Sequence, residues 1–436
     1  MASLKKQALV LTLANAYTRG LGFIFRLITA RLMGAEAMGV MELSSSAVML
    51  AITPVTAGLP TAMSRLTAQR NADPAAILKA GLSWVTRLSR WMIPAFLLLS
   101  PAIAWILGDF RTLPSLWTGI PCIILLGVCA VYSGWFYGQN DAATPALNEC
   151  VEQTVRCLLA LALLFSFARY NVALTAALPG LAEVIAGIAV WWLFREKTPR
   201  LPRGRPEPAV VQEILRLSGP TTAARLCQTA LRALNAVLLP VCLRRSNLSQ
   251  AAATAQFGML SGMAMPLLMA PGIVTGALCM IATPAMSRLE GQQPRLRRTM
   301  RYLLLSAAGI GCTATFLLIV SANFISVALF KEPTLARLLR LLAPAALLFS
   351  LQQVQFGLIT GLGVQNKALT GTVIASLLSL GITALLCPLP QLRLRGAALA
   401  ILCSAVLRVV WNQVVLYQAI RKSAMPDQAC GVQIAP

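Results

Sequence analysis

Apolar runs close to 20 residues long recur along this chain from one end to the other. Each is long enough to cross roughly 30 Å of hydrocarbon as a helix. No stretch between them is large enough to form a soluble domain of its own. An all-α integral membrane protein is therefore expected. The balance of residues agrees: 57% are hydrophobic and 12% charged, against about one quarter charged in soluble domains. The mean hydropathy is +0.72.

Twelve spans are expected, near 8–33, 40–63, 83–107, 115–138, 146–168 and 172–194, then 214–243, 255–284, 302–328, 337–361, 368–388 and 396–420. Between the two sets, Arg195, Lys197, Arg200, Arg203 and Arg205 alternate with Pro199, Pro202, Pro206 and Pro208, which reads as a cytoplasmic linker. The expected organisation is a six-helix lobe at 1–198, a linker at 199–211, a second six-helix lobe at 212–422 and a cytoplasmic tail at 423–436. With both termini inside, inner ends and loops carry 19 Lys and Arg, outer ones 10, and 8 lie within spans. That bias follows the positive-inside rule. Arg87 and Arg90 fall near an inner helix end, within snorkelling reach of the headgroups. Arg244, Arg245, Arg393 and Arg395 fall on the wrong side. Lys5 and Lys6 before the first run resemble a signal peptide, but that run is too long and carries Arg19 and Arg26, so a retained first helix is expected.

An internal echo points to duplication. Ala62-Met63-Ser64-Arg65-Leu66 returns as Ala285-Met286-Ser287-Arg288-Leu289, offset by 223 residues, and Gln139-Asn140 as Gln365-Asn366, offset by 226. An even number of spans per half makes the repeats parallel, and transporters of that build place substrate between their lobes.

The net charge of +23 does not form one patch of the kind that binds nucleic acid. With no His, His-based triads and common zinc sites are excluded. The 11 Cys include no CxxC and read as small apolar helix residues.

Ionisable side chains at bilayer depth cost at least about 2.5–3.5 kcal/mol, so each needs a reason. The first helix carries Asn15, Arg19 and Arg26 on one face; the seventh carries Arg225, Gln228, Arg232 and Asn235 on one face. Across the expected lobe interface these would form a cationic cavity. Arginine stays charged and its fork grips phosphate oxygens in pairs, so a pyrophosphate headgroup is the expected guest. The alternative is that these arginines pair with carboxylates or helix C-termini to lock the bundle; too few acids are in view to neutralise them. In the fifth helix, Glu149 accompanies Glu152 and Arg156, which read as an i, i+4 ion pair that lets the helix insert. Glu183 in the sixth helix reads as a hydrogen-bonded structural group ahead of a carrier of a coupling proton. Arg408 with Asn412 in the last helix is a polar step open to either role.

Asp73, Asp109, Asp141 and Asp427 all fall in loops or the tail, leaving no aspartate at membrane depth to bind a cation. Gly58-Leu59-Pro60, Pro266, Pro271-Gly272 and Pro284 interrupt the second and eighth helices at comparable places, as gates or as static kinks.

Several of these stretches resemble one family. They are Arg19-Gly-Leu-Gly-Phe-Ile-Phe-Arg26, Ala30-Arg31-Leu-Met-Gly34-Ala35-Glu36, Gly58-Leu-Pro-Thr-Ala-Met-Ser64, Tyr137-Gly-Gln-Asn, Thr144-Pro145, Glu152-Gln-Thr-Val-Arg156, and Phe257 through Ser287. In order, over nearly the whole chain, they resemble the stage V sporulation protein B-like branch of the lipid II flippases, in the multidrug/oligosaccharidyl-lipid/polysaccharide exporter superfamily. The resemblance implies a MATE-like fold of two six-helix lobes and alternating access. It implies an anionic, isoprenoid-pyrophosphate-linked saccharide as cargo, in a bacterial cytoplasmic membrane. Arg19 and Arg26 match first-helix arginines that face the cavity in those flippases. An eighth-helix arginine of the family has no match within 255–284, and Arg225 and Arg232 are inferred to fill its role. The family's extra helix pair, a groove for the lipid tail, has no counterpart. Membrane lipids and cell-wall synthesis enzymes come with the resemblance as partners, and no cofactor or catalytic residue does. The main rival is a cation-coupled drug exporter of the same superfamily, which needs acids in its cavity.

Overall fold

The computed structural model describes residues 2–69, 73–167, 171–198, 207–289 and 292–422. Most of the expected linker and the tail at 423–436 lie outside these residues. Every regular element among them is helical. The helices are α1 (Ala2–Thr56), α2 (Leu59–Gln69), α3 (Pro74–Leu107), α4 (Leu113–Gly138), α5 (Ala143–Phe167), α6 (Val172–Lys197), α7 (Pro208–Arg245), α8 (Gln250–Gly258), α9 (Met265–Met269), α10 (Gly272–Arg288), α11 (Gln293–Phe324), α12 (Leu335–Leu342), α13 (Pro344–Gly361), α14 (Gln365–Leu386) and α15 (Leu394–Lys422). A short 3-10 turn, Phe110–Thr112, precedes α4, and π segments occupy Met259–Ala264 and Ile325–Leu329. Among the described residues, ten helices are long and apolar enough to cross a membrane, or eleven with the bent pair α12 and α13 counted as one span.

The longest of these runs, Val10–Gln69, is not straight. Gly34 interrupts α1 with φ 74° and ψ 173°, a conformation that side chains rarely adopt. The chain folds back there, and the two arms of α1 lie on either side of it. The second expected span, 40–63, is thus the second arm of α1 followed by α2, with a break at Ala57–Gly58. A Cβ on Gly58 would sit 2.7 Å from the Thr222 hydroxyl of α7, so this break is also a close crossing. The third helix begins at Pro74 rather than 83, with Asp73 capping the Ala75 N–H. That extension places Arg87 and Arg90 in its middle turns, exposed, and not near its end. The eighth span is broken twice, by the π segment and at Ala270–Pro271.

The chain divides into two compact units. One comprises Met1–Pro266 with Ala328–Lys331 and Ala384–Leu394; the other comprises Leu267–Val327, Glu332–Thr383 and Arg395–Pro436. The first unit buries Met63, Leu78, Val131 and Phe194. The rings of Tyr132 and Phe136 stack on Phe194 at 5.5 and 5.7 Å, and the Trp135 indole donates to the Pro74 carbonyl at 2.8 Å. The second unit centres on Met286, Leu303, Val354 and Leu416. Lipid gives helices no hydrophobic reason to associate, so close packing through small residues must do so. Gly39 of α1 against Gly258 of α8, and Gly119 of α4 against Val48, are such contacts in the first unit.

The turns carry a clearer echo than the sequence does. Asn140 (φ 61°) after α4 and Gly363 (φ 69°) after α13 are both left-handed and lie 223 residues apart. Asn140 N–H bonds to Tyr137 O and Asp141 N–H to Phe136 O; Gly363 N–H bonds to Thr360 O and Val364 N–H to Ile359 O. The offset is that of the Ala-Met-Ser-Arg-Leu repeat. The Gln-Asn match at 226 does not mark equivalent positions.

Candidate functional site: a cavity with two ion pairs in the first unit

Arg26 and Glu42 stand sixteen positions apart. A straight helix would separate them by about 24 Å. They form an ion pair instead, because each lies eight residues from the fold-back at Gly34. Arg26 also donates to the Ser261 carbonyl at 3.4 Å. Ser261 belongs to the π segment Met259–Ala264, an irregularity of the kind often found at functional sites.

This pair borders a cavity of about 330 Å³. Both arms of α1 line it, with Ser115, Thr118 and Gly119 of α4, Gln153 and Arg156 of α5, and Gly180 and Glu183 of α6. It is open beside Ser45 and Met49, which are exposed. Arg156 donates to Glu183 at 2.7 Å and also bonds Gln153. Glu152 forms no ion pair with a described residue. The expected i, i+4 pair is therefore replaced by one between helices, and Glu183 is an ion-pair partner. Two arginines and two glutamates face this space, each cation matched to an anion. Four polar atoms of the lining residues are buried without a hydrogen-bond partner among the described residues: Arg26 Nε, Arg156 Nε, Thr29 Oγ1 and Ser115 Oγ.

The other expected site residues scatter around this cavity or away from it. Arg225 and Arg232 are exposed on α7, with Gln228 half-buried beside them. Thr229, on the same face, accepts from the Thr53 hydroxyl at 3.2 Å. Thr53 is one turn from Met49, so the arginine face of α7 runs beside the cavity mouth. Arg19 is exposed on α1, within electrostatic range of Glu149 on α5. Asn15 and Asn235 donate to carbonyls of their own helices, Leu11 and Leu231. Arg408 belongs to the second unit, where it donates to Ser404 Oγ at 3.5 Å.

Sequence reasoning missed Glu42, and with it the neutralisation of Arg26. The signal was available: residues equidistant from a glycine turn face each other. It also missed a network at the Gly34 end of this unit. Arg111 grips Asp109 through Nε at 3.0 Å and Nη2 at 2.7 Å and reaches Glu36 at 2.5 Å, while Thr254 donates to Asp109 at 3.2 Å. Burial alone would push the Asp109 carboxyl up, but the Arg111 bonds and charge and the Thr254 hydroxyl outweigh it and hold it below its ordinary value.

Apolar helices in series, with charged pairs held among them, define a polytopic membrane protein. The chain belongs to the polysaccharide biosynthesis protein family, whose model matches residues 4–290. It is 28% identical over 424 residues to stage V sporulation protein B of Bacillus subtilis (strain 168), covering 92% of this chain and 81% of that protein. The lipid II flippase MurJ in an inward closed conformation superposes with a TM-score of 0.75 at 11% identity, over 95% of this chain and 90% of that one. An inward-facing multidrug resistance MATE family transporter of the MOP superfamily gives a TM-score of 0.66 at 15% identity, over 96% of both. At these identities the two structures establish the fold.

Proposed function

We propose that the chain is a flippase that moves an isoprenoid-pyrophosphate-linked saccharide across the cytoplasmic membrane by alternating access. The observation that carries this reading is the arginine set of the first unit. Arg26 sits at a cavity lined by two ion pairs, and Arg225 and Arg232 run exposed along α7 beside its mouth. Permanently charged forks at membrane depth suit a diphosphate headgroup while its isoprenoid tail stays in lipid. Family membership and the sporulation and lipid II flippase relatives support the same cargo class. Twelve crossings in two parallel lobes, both termini in the cytoplasm, and delivery to cell-wall synthesis enzymes complete the proposal.

Cation-coupled drug export requires carboxylates free to take up a cation. Glu42 and Glu183, the acids at the cavity, are each held by an arginine. Native mass spectrometry decides between the readings, using the purified protein with an undecaprenyl-pyrophosphate saccharide and, separately, a lipophilic cationic drug. Retention of the lipid by the wild type and not by a folded R26A/R225A variant, with no drug retained, is expected. Drug retention without lipid, or lipid retention indifferent to both arginines, refutes the reading.

A further inference from the structure

The start of α11, in the second unit, carries Arg295, Arg297, Arg298 and Arg301 within two turns, all exposed. Two more exposed arginines join them. Arg288 ends α10, and the Gln293 amide donates to the Ile420 carbonyl at 2.6 Å, which ties this end of the unit to α15 beside Arg421. Against these six the nearby sequence offers one carboxylate, Glu290, which lies outside the described residues. None of the six forms an ion pair with a described residue. Like charges three and four residues apart, as in Arg295–Arg298 and Arg297–Arg301, destabilise a helix. A bound anion removes that cost.

The face on which the charges stand says which anion. At 100° per residue, Arg295 and Arg298 share a face with Tyr302, Leu305, Phe316 and Phe324, all exposed, while Leu296, Leu303, Ala307 and Leu318 are buried on the other side. That exposed apolar face is the one turned to lipid. Tyr302 and Phe324 stand about 33 Å apart along the axis, close to the thickness of the hydrocarbon core. Arg298 and Arg295 follow one and two turns beyond Tyr302, at the depth of phospholipid phosphates. Membrane orientation depends on how many such residues a loop carries and is indifferent to their face. Arginines set directly above a lipid-facing stripe do more than orient the chain.

We propose that this end of the second unit binds the headgroup of an anionic phospholipid, a lipid other than the cargo. Arg295 and Arg298 hold its phosphate, Arg297 and Arg301 add to the local positive potential, and its acyl chains run over Tyr302, Leu305 and Phe316. The leaflet is the one on the side where α15 ends; only its naming as cytoplasmic rests on the orientation proposed above.

Native mass spectrometry of the purified full chain tests this, with phosphatidylglycerol, phosphatidylethanolamine and inorganic phosphate as separate probes. Two variants each lose two charges: R295Q/R298Q, and R337Q/R340Q on α12, whose exposed arginines follow the opposite end of α11. The wild type is expected to retain phosphatidylglycerol over phosphatidylethanolamine. R295Q/R298Q should weaken phosphatidylglycerol about tenfold and leave phosphatidylethanolamine unchanged, which also reports a folded protein, and R337Q/R340Q should change neither. Equal weakening by the two variants, or no preference for phosphatidylglycerol in the wild type, overturns the site. Inorganic phosphate retained as tightly as phosphatidylglycerol overturns the lipid as its partner.

Discussion

A single methyl at Gly258 should push α8 away from α1. An ideal Cβ there would lie 2.9 Å from the Gly39 Cα and 2.5 Å from its nitrogen, and closer still to the Ala35 carbonyl oxygen. Carbon atoms prefer about 3.5–4.0 Å, so α8 must move from the second arm of α1 by about 1 Å or more. The neighbours are backbone and cannot rotate aside. Overpacking of this sort costs about 1–3 kcal/mol, and G258A should fall at the upper end. Gly20 is the control: it is also helical, and nothing lies within 4 Å of its Cβ position. There the ordinary helix preference applies, and G20A should stabilise by about 0.5–1 kcal/mol. Unfolding of both variants in one detergent, followed by tryptophan fluorescence against denaturant, gives the comparison. If G258A is neutral, or the two variants shift stability alike, the close crossing of α1 and α8 is wrong.

Three further outcomes are expected. E183Q should lower stability by about 2 kcal/mol and E152Q by less than about 0.5 kcal/mol, since Arg156 bonds the former carboxylate at 2.7 Å; equal costs in the same unfolding assay would restore the i, i+4 pair. A double-mutant cycle of R26Q and E42Q should give a coupling of about 2 kcal/mol, below the roughly 4 kcal/mol of a screened contact pair because the side chains remain 37% and 17% exposed; coupling near zero would mean that the pair does not persist. Asp109 is held below its ordinary value when folded, so its stabilisation is complete above about pH 4, the unfolded value, and is lost as pH falls through the folded one. Thermal unfolding of wild type minus D109N should therefore shrink between about pH 5 and pH 2, and a difference flat across that range would count against the Arg111 grip.

Much of the fold was legible because lipid makes simple demands. Span positions follow from apolar length alone, and α4 to α7 begin and end within a few residues of expectation. What failed was geometry that length does not encode. The fold-back at Gly34 falls in the expected gap between the first two spans, but apolar length does not say how tight it is, and its positive φ explains why Glu42 meets Arg26. Arg156 had two carboxylates in range, one on its own helix and one on α6, and no pattern along the chain ranks a neighbour against a packing partner. The 223-residue offset of Ala-Met-Ser-Arg-Leu is shared by the left-handed turns at Asn140 and Gly363, whereas the Gln-Asn offset of 226 is not. Of the site, the arginines were readable as costly charges in lipid. Thr29 and Ser115 were not, because an isolated hydroxyl in a membrane helix usually bonds its own backbone.

The fold-back at Gly34 also bears on how the chain enters the bilayer. The first arm, with Arg19, Arg26 and Arg31, is a reluctant insertion substrate by itself, since arginine resists transfer into the bilayer. Glu42 is synthesised only sixteen residues after Arg26. Once the turn forms, the two charges cross as a neutral pair, and the second arm shields what the first exposes. The opening crossings of this protein are then one unit of biogenesis: the first arm is retained in the membrane because the second arrives.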